Sequence, residues 1–330
     1  MFYKASIRRE EIVSNQSNAI GRAYEYACIT SLYDAIKHIR KVEIVKDNTF
    51  QHAKIEWDNM SSTMQAKLRY GADAIIQTLF ELEPMIIEKA DDTLSLQIQQ
   101  DGMGEEGDVR DLLIVRSSQC WEIGLSLKHN HFAVKHSRLS ANIDFGEKWY
   151  GKKCSQQYWD KIKPIFDRLR KDKIEGKKWN EMLDKSQTVY IPLLNAFRDE
   201  VLKASTSPNV PQKLVEYLLG KFDFYKAVSI DKDESTLLYS YNLHGTLNKP
   251  SKTEKSKISL PIVLLPTRIV SLEMKPNSDN TLEMYMDNGW QFSFRIHNAS
   301  TKVEPSLKFD IQIVGMPTTI TLFSCKWILS

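Results

Sequence analysis

The sequence predicts an α/β (α+β) protein in which an α/β core is followed by a β-rich C-terminal part. Three observations support this fold class. Apolar residues recur at three- to five-residue steps near the N-terminus, short alternating segments lie between residues 93 and 128, and alternating segments dominate after residue 223. With 330 residues, 42% of them hydrophobic, the chain is long enough for one large domain or two ordinary ones.

The first part of the chain combines predicted helices and strands. Residues 18–41 have the helical period, and a second helix is predicted over residues 62–84, where Pro84 stops it. "TLSLQIQQD" and "DLLIVR" are predicted strands, and the turn "SSQ" leads into a third, "CWEIGLSLK". We expect the last two strands to form an antiparallel hairpin.

The second part changes from helical to strand-rich. Residues 160–219 are mainly helical by pattern, and strands are predicted from residue 223 onward, including one over residues 257–266. "DNG" before Trp290 predicts a hairpin turn, because Asn and Gly tolerate positive φ. We therefore predict two domains, a core with a helical insertion over residues 1–222 and a β-rich domain over residues 223–330.

Several function classes are disfavoured by composition and motif content. The four cysteines are widely scattered, which predicts reduced thiols and not a disulfide set or a zinc site. Phosphate-binding glycine motifs and the GxSxG motif are absent. The N-terminus is charged, and no run approaches the ~18 apolar residues of a membrane span. We expect a cytoplasmic protein with no membrane partner.

Charge is distributed unevenly along the chain. Residues 81–111 contain ten acidic and two basic residues, whereas residues 128–178 contain fourteen basic and six acidic ones. This pattern suggests a cation held beside a polyanion. Two solvated faces of opposite charge remain the alternative, since charge alone does not separate the two.

The predicted hairpin carries a group of polar residues. In the strand "CWEIGLSLK", Glu122, Ser126 and Lys128 share one face, and Asp111 begins the neighbouring strand. A carboxylate that binds Mg²⁺ beside a lysine suits phosphodiester hydrolysis, and the carbonyl of Leu127 would add an oxygen ligand. The alternative is a strand face with ordinary polar side chains, which spacing alone favours.

The chain also resembles a known family. Asp111, a gap and a strand ending at Lys128 resemble the PD-(D/E)xK nuclease core, and "GRAYEYA" resembles its first helix, in which a glutamate, here Glu25, often joins the metal site. "GDVRDLLIV", "GLSLKHNHFAVKHSRLS", "DFGEKWYGKKCSQQYWDKIKPIF" and "WQFSFRIHNAS" resemble the HaeIII family of type II restriction endonucleases over most of the chain.

The resemblance implies a restriction-endonuclease-like core, with a mixed central sheet flanked by helices. It implies Mg²⁺-dependent hydrolysis of double-stranded DNA at GGCC within a restriction–modification system, and hence a companion DNA methyltransferase. A homodimer would read this palindrome most simply, although a monomer that cuts each strand in turn stays open. A non-catalytic nucleic-acid-binding protein and a repair or RNA nuclease with the same core are the alternative functions.

The resemblance also implies roles for single residues. Asp111 and Glu25 would bind the metal, and Lys128 would position the attacking water. Ser126 stands where the superfamily usually has Asp or Glu. Either Glu122, four residues earlier, or a carboxylate from elsewhere in the chain would supply the missing ligand, with Glu122 or Ser126 completing the site. Asp108 is a rival to Asp111, but we prefer Asp111 because the apolar strand follows it directly.

Basic and polar segments are the candidates for DNA contact. Lysine and arginine bind phosphates and guanine edges, and asparagine binds adenine edges. The alternatives are a solvated basic loop for the first segment and a polar strand face ending in an Asn turn for the last. The candidate DNA-binding residues are His129, Asn130, His131, Lys135, His136, Arg138, Lys152, Lys153, Arg295, His297 and Asn298.

Overall fold

The structure, a computed structural model, describes residues 2–100, 107–130 and 135–329, with side chains from residue 18 onward except at residues 135 and 136. These residues form a mixed α/β protein with two sheets, which confirms the predicted fold class. The chain divides into two compact units. The first comprises Met1–Phe132, Phe222–Val263 and Thr319–Ser330, and the second comprises Ala133–Lys221 and Leu264–Thr318.

The first unit contains a seven-stranded mixed sheet. In spatial order, the first and second strands are parallel, as are the fourth and fifth, and the other neighbours are antiparallel. In spatial order the strands are β1 (Val42–Ile44), β2 (Leu94–Ile98), β3 (Leu112–Arg116), β4 (Trp121–His129), β6 (Phe224–Ile230), β7 (Ser235–Tyr241) and β12 (Leu322–Lys326). The helices of this unit are α1 (Phe2–Ile36), α2 (Asn48–Asp58), α3 (Ser62–Asp73) and α4 (Ile76–Leu82).

The core of the first unit lies between its helices and one face of the sheet. Tyr24, Cys28 and Leu32 on α1 recur at helical spacing and are buried. Leu112 and Ile114 on β3 alternate with half-buried neighbours, so one face of this strand enters the same core. This packing holds α1 against β4 and fixes the position of the helix beside the predicted hairpin.

Local differences from the predicted elements occur near the helices. The second predicted helix is divided into α3 and α4, with a break at residues 74 and 75. The side chain of Ser61 accepts the N–H of Met64 and so starts α3. The α-helix ends at Leu82, before Pro84 as predicted, and a 3-10 helix follows over Pro84–Ile86. The sequence pattern did not predict α2, which begins where Asp47 caps its first turn.

The second unit contains a five-stranded antiparallel sheet and four α-helices in the described part of the chain. In spatial order its strands are β5 (Lys135–Ser140), β11 (Ser306–Gly315), β10 (Gln291–His297), β9 (Thr281–Met286) and β8 (Ile269–Met274). The helices are α5 (Phe145–Tyr150), α6 (Gln156–Ile174), α7 (Ile191–Ala204) and α8 (Asn209–Leu219). Its core contains the packed rings of Phe145, Trp149, Phe197, Phe294 and Phe309.

The C-terminal strands are shared between the two sheets. β6, β7 and β12 complete the seven-stranded sheet, whereas β8–β11 form the five-stranded sheet, in which β11 pairs with β5, a strand in the segment considered a basic loop. The predicted boundary near residue 222 is one of several points at which the chain passes between the two compact units. A recognition role for the C-terminal part stays a prediction.

Two segments of the C-terminal part test the predicted turn and strand directly. The hairpin at "DNG" is confirmed, since Asn288 and Gly289 have φ angles of 58° and 88° between β9 and β10. The strand predicted over residues 257–266 is wrong, because that segment has no strand pairing. Pro261 and Pro266 lack the N–H groups that a sheet ladder needs. No helix in the described ranges combines the length and apolar character needed to cross a membrane.

Candidate active site

The backbone of Asp111 is held where β3 begins. Its N–H donates to the carbonyl of Leu125 on β4 at 2.7 Å, and its carbonyl accepts the N–H of Gln99 at 2.9 Å. The register pairs Leu112 with Leu125, as an antiparallel hairpin requires. The side chain of Asp111 is thereby placed beside the C-terminal end of β4.

The Asp111 carboxylate meets three donors from β4. Its Oδ2 atom accepts the N–H of Leu127 at 2.6 Å, the Nζ of Lys128 at 3.0 Å and the hydroxyl of Ser126 at 3.3 Å. The predicted meeting of Asp111 and Lys128 is confirmed. Both side chains keep part of their surface exposed, 24% for Asp111 and 32% for Lys128, so a substrate can reach them.

Helix α1 places a second carboxylate in the same electrostatic environment. Glu25 is buried and accepts a hydrogen bond from Arg22 at 2.6 Å. Burial and then the negative charge of Asp111 raise the pKa of Glu25 from 4.5 to about 8, against the opposing charges of Arg22 and Lys128. Glu25 is therefore close enough to Asp111 for the negative charge of Asp111 to disfavour the ionised form of Glu25.

Sequence reasoning missed Lys226, a buried lysine on the neighbouring strand. β6 runs parallel to β4, and Lys226 is the register partner of Ser126. Burial and then the charge of Lys128 lower the pKa of Lys226 to about 8, whereas Asp111 acts in the opposite direction. One signal was present, since Lys226 is the charged residue within the apolar segment "FYKAVSI".

Glu122 lies away from the Asp111 carboxylate. It is four residues before Ser126 on β4, which corresponds to about 13 Å along a strand. Its carboxylate accepts a hydrogen bond from Arg110 at 2.8 Å. The structure thus does not bring Glu122 to the ion pair of Asp111 and Lys128, and its expected role as a metal ligand finds no geometric support.

The carboxylate of Asp108, the alternative to Asp111, accepts hydrogen bonds within the same network. Arg110 donates to both oxygens of the Asp108 carboxylate, at 2.8 Å and 2.7 Å, and Gln99 donates to it at 2.7 Å. The stem of Arg110 crosses β4 at Gly124, where an added Cβ would lie 2.1 Å from it. Glycine at 124 therefore makes room for Arg110, which fixes the segment that leads into Asp111.

The oxygen atoms at this site are of the kind that a hard divalent cation prefers. Among the described residues, no group of three His, Cys, Asp or Glu side chains could hold a metal ion. The donors at hand are the carboxylates of Asp111 and Glu25 and the carbonyl of Leu127, whose N–H already points to Asp111. Mg²⁺ is commonly held by one or two carboxylates together with water and substrate phosphate, so this donor set suits it.

The two candidate DNA-binding residues at the end of β4 have structural partners. His129 has a side chain only 6% exposed, with ring nitrogens 3.4 Å from Ser229 and 3.4 Å from Asp231. Burial lowers the pKa of His129, which favours its neutral form. Asn130 has a φ angle of 52°, contacts His129 and accepts the N–H of Asp231. Both side chains therefore shape the turn, and His131 lies outside the described residues.

The basic candidates of the second unit differ in exposure. Lys135 and His136 lie on β5 by their backbone, and their side chains are outside the description. Arg138, Lys152 and Lys153 are exposed. Arg138 donates to the carbonyl of residue 306 at 3.4 Å, and Lys152 donates to the hydroxyl of residue 207. These three cations are accessible to a polyanion.

The candidates at the end of β10 are arranged around an acid. Arg295, 58% exposed, lies 3.5 Å from Asp310, and His297, 24% exposed, lies 3.4 Å from the same carboxylate. The side-chain amide of Asn298 donates to carbonyls and accepts an N–H within residues 300–304. Asn298 thus closes the turn after β10, as the alternative reading expected, whereas Arg295 remains accessible.

The mixed sheet, with a carboxylate–lysine pair across adjoining strands and a glutamate on the first helix, is the arrangement that the nuclease resemblance led us to expect. The model of the HaeIII restriction endonuclease family matches residues 21–317. The chain is 50% identical over 320 residues to the type II restriction enzyme HaeIII of Haemophilus aegyptius, which covers 96% of this chain and 99% of that protein. The chain belongs to the HaeIII restriction endonuclease family. No solved structure matches it.

Proposed function

We propose that this protein is a Mg²⁺-dependent type II restriction endonuclease that hydrolyses phosphodiester bonds of double-stranded DNA at GGCC. One observation carries the proposal: in a member of the HaeIII family, Lys128 lies 3.0 Å from the Asp111 carboxylate, with Glu25 in the same electrostatic environment. The GGCC target follows from the family resemblance, since no residue spacing encodes four bases.

Asp111, Glu25 and the Leu127 carbonyl would hold the cation. When bound, Mg²⁺ polarises the scissile phosphate and lowers the pKa of a coordinated water. The ammonium group of Lys128 orients the attacking water and neutralises charge that develops on the phosphate. In-line attack of this kind leaves a 5′-phosphate and a 3′-hydroxyl.

Ser126 and Glu122 would act at different distances from the reaction. The hydroxyl of Ser126 donates to Asp111 at 3.3 Å and so helps to orient the carboxylate. Glu122 would act through Arg110, whose guanidinium it shares with Asp108. We therefore assign Ser126 to the site itself and Glu122 to the network that holds the start of β3.

DNA binding would use the exposed cations of the second unit. Arg138, Lys152 and Lys153 would contact phosphates, and Arg295 would reach a guanine edge, the commonest specific contact in duplex DNA. A two-fold dimer would present the same residues to each half of a palindrome. A companion methyltransferase would protect the sites in host DNA.

Lys128→Ala tests the catalytic proposal. We expect the loss of plasmid cleavage in Mg²⁺, by at least about 100-fold, because a charge-stabilising group is removed from the reacting centre. Duplex binding, measured by gel shift, should persist, since Asp111 keeps its other two donors. Lys54→Ala, which removes an exposed lysine on α2, is the matched control and should cleave normally. Full cleavage by Lys128→Ala would refute the assignment.

The same assay separates the alternative functions. Discrete plasmid fragments that form only with Mg²⁺ support the nuclease, and mapping their ends identifies the target and the cut position. A gel shift with no cutting under any metal condition would instead favour a non-catalytic binder. Competition between duplex DNA and RNA would reveal a repair or RNA nuclease with the same core.

A further inference from the structure

Strands β5, β11 and β10 of the second unit share a solvent-facing surface with Lys308 at its centre. On β11, Lys308 alternates with Phe309, which is fully buried, so the opposite face of these strands enters the core. The register pairs Lys308 with Arg138 of β5 on one side and with His297 of β10 on the other. Register partners project from the same face of a sheet, so these basic residues form a row across the three strands.

One acid lies among these side chains. The carboxylate of Asp310 is 3.6 Å from the amine of Lys308, 3.5 Å from Arg295 and 3.4 Å from His297. Its one negative charge does not balance the positive charges of Lys308, Arg295 and the exposed Arg138. This part of the sheet surface is therefore positively charged, although an acid lies at its middle.

The basic part of the surface lies at one edge of the sheet. Among the described strands, β5 is the edge strand and β11 lies beside it. Toward the other edge the same face becomes acidic, because Glu283 of β9 and Glu273 of β8 are register partners. A polyanion is therefore attracted to the β5–β11 ribbon and repelled by the opposite edge. The major groove of duplex DNA admits a two-stranded β-ribbon, and guanine presents two acceptors there.

We propose that the β5–β11 ribbon enters the major groove of duplex DNA and that Lys308 is a specificity-determining residue, which donates to the O6 and N7 atoms of a guanine. This inference rests on the proposed nuclease function. The negative charge of Asp310 favours a base edge over a phosphate at this place, because it repels phosphate but not an uncharged base. Asp310 also holds the amine of Lys308 near the guanidinium of Arg295, so the two side chains can read adjacent guanines.

Lys308→Met tests the proposal, since methionine keeps an unbranched stem and removes the charge. Target duplexes that carry either guanine or 7-deazaguanine, which lacks the N7 acceptor, at each guanine position in turn are cleaved in competition, and the ratio of kcat/KM values is measured. In the wild type we expect about a tenfold preference for guanine at the contacted position. In Lys308→Met the two duplexes should be cleaved within about twofold of each other, because the group that senses N7 is gone.

The preference ratio separates base reading from other roles. A phosphate contact or a purely structural role would slow cleavage of both duplexes equally and leave the ratio unchanged, which would overturn the inference, as would a wild type with no preference at any guanine. Lys161→Met is the matched control, since Lys161 also pairs with an aspartate, Asp199, at 2.9 Å, and this variant should keep the wild-type ratio. Circular dichroism checks folding, and Lys308→Gln takes the place of a methionine variant that does not fold. A wild-type protein that neither binds nor cuts duplex DNA would overturn the proposed function instead.

Discussion

At the scale of single residues, the site depends on how hydrogen bonds are distributed between the two carboxylate oxygens of Asp111. Within the described part of the chain, its hydrogen bonds from Ser126, Leu127 and Lys128 all reach Oδ2. A carboxylate has about four lone-pair positions, so Oδ1 can bind a cation without releasing these donors. The protein thus orients its candidate metal ligand before the substrate arrives.

The raised pKa of Glu25 predicts that the pH dependence of cleavage changes with the Mg²⁺ concentration. Its pKa is raised from 4.5 to about 8, so without metal the folded protein holds this proton across most of the neutral range. Mg²⁺ binds ionised carboxylates, so if Glu25 holds the metal as we propose, metal binding must release this proton. Cleavage at limiting Mg²⁺ should therefore rise with pH up to about 8. Each tenfold rise in Mg²⁺ should lower the midpoint by up to about one pH unit.

Rate–pH profiles at two Mg²⁺ concentrations check this link. Asp111, Arg22 and Lys128 are the charged groups that act on Glu25, and each variant must leave them in place. Glu25→Gln cannot ionise, so it should be weakly active and lack the metal-dependent shift. An identical midpoint at both concentrations in the wild type would rule out Glu25 as a metal ligand.

The residues of the site differ in how well sequence could find them. Asp111 and Lys128 were predictable because a short hairpin joins them, and local pairing follows from alternation and a turn. Lys226 was not predictable, since it is placed beside Ser126 by a parallel pairing between strands about a hundred residues apart in the chain. Glu122 was misleading because strand alternation gives the face of a side chain but not its distance from the reacting groups.

At the scale of elements, a cluster of charges holds several chain segments together at the other end of β3. Asp92 accepts hydrogen bonds from Arg40 at 2.6 Å, from two nitrogens of Arg116 at 2.9 Å and from Ser118 at 2.8 Å. The side chains of Arg40 and Arg116 are at most 1% exposed. The hydrogen bond from Arg116 holds the pKa of Asp92 well below its usual range. The contribution of the ionised Asp92 carboxylate to the stability of the fold is therefore lost only in strong acid.

Asp92→Ala should destabilise the protein by about 3–5 kcal/mol, because it leaves two buried guanidinium groups without their shared carboxylate. Urea unfolding at neutral pH, followed by circular dichroism, measures the change. Asp91→Ala removes an exposed neighbouring acid and should change stability by less than about 0.5 kcal/mol. Equal midpoints for the two variants would show that the cluster adds no stability.

The helices, strands and turns were predictable where a single local sequence pattern specifies them. The α1 helix, the β3–β4 hairpin and the "DNG" turn follow from period, alternation and positive φ. The strand predicted over residues 257–266 failed because apolar composition was given more weight than two prolines. The strand β5 was missed because its sequence is basic, and its pairing with β11 comes from a distant part of the chain.

At the scale of the whole molecule, sequence order and compact units do not coincide. β6, β7 and β12 come from the strand-rich C-terminal part but belong to the sheet that carries Asp111 and Lys128. A change in local pattern near residue 222 marks where the chain passes between units, and pattern alone does not show which sheet each later strand joins. Strand pairing over long sequence separation is decided by tertiary packing, not by local alternation.

This interleaving predicts the behaviour of a fragment that contains residues 1–222. The fragment would keep Asp111, Glu25 and Lys128 but lose β6, which pairs with β4 along residues 125–129. The lost strand would leave the unpaired edge of β4 and the apolar side chains of Leu125 and Leu127 without their neighbours, and such edges promote aggregation.

We therefore expect residues 1–222 to be poorly soluble, without a cooperative thermal transition and without Mg²⁺-dependent cleavage. A chain of residues 1–328 is the matched control, because it keeps β12 and the buried Trp327 that follows it. Circular dichroism melting and plasmid cleavage should show this control to be close to the full chain. A folded, active 1–222 fragment would mean that the C-terminal strands are dispensable for the site.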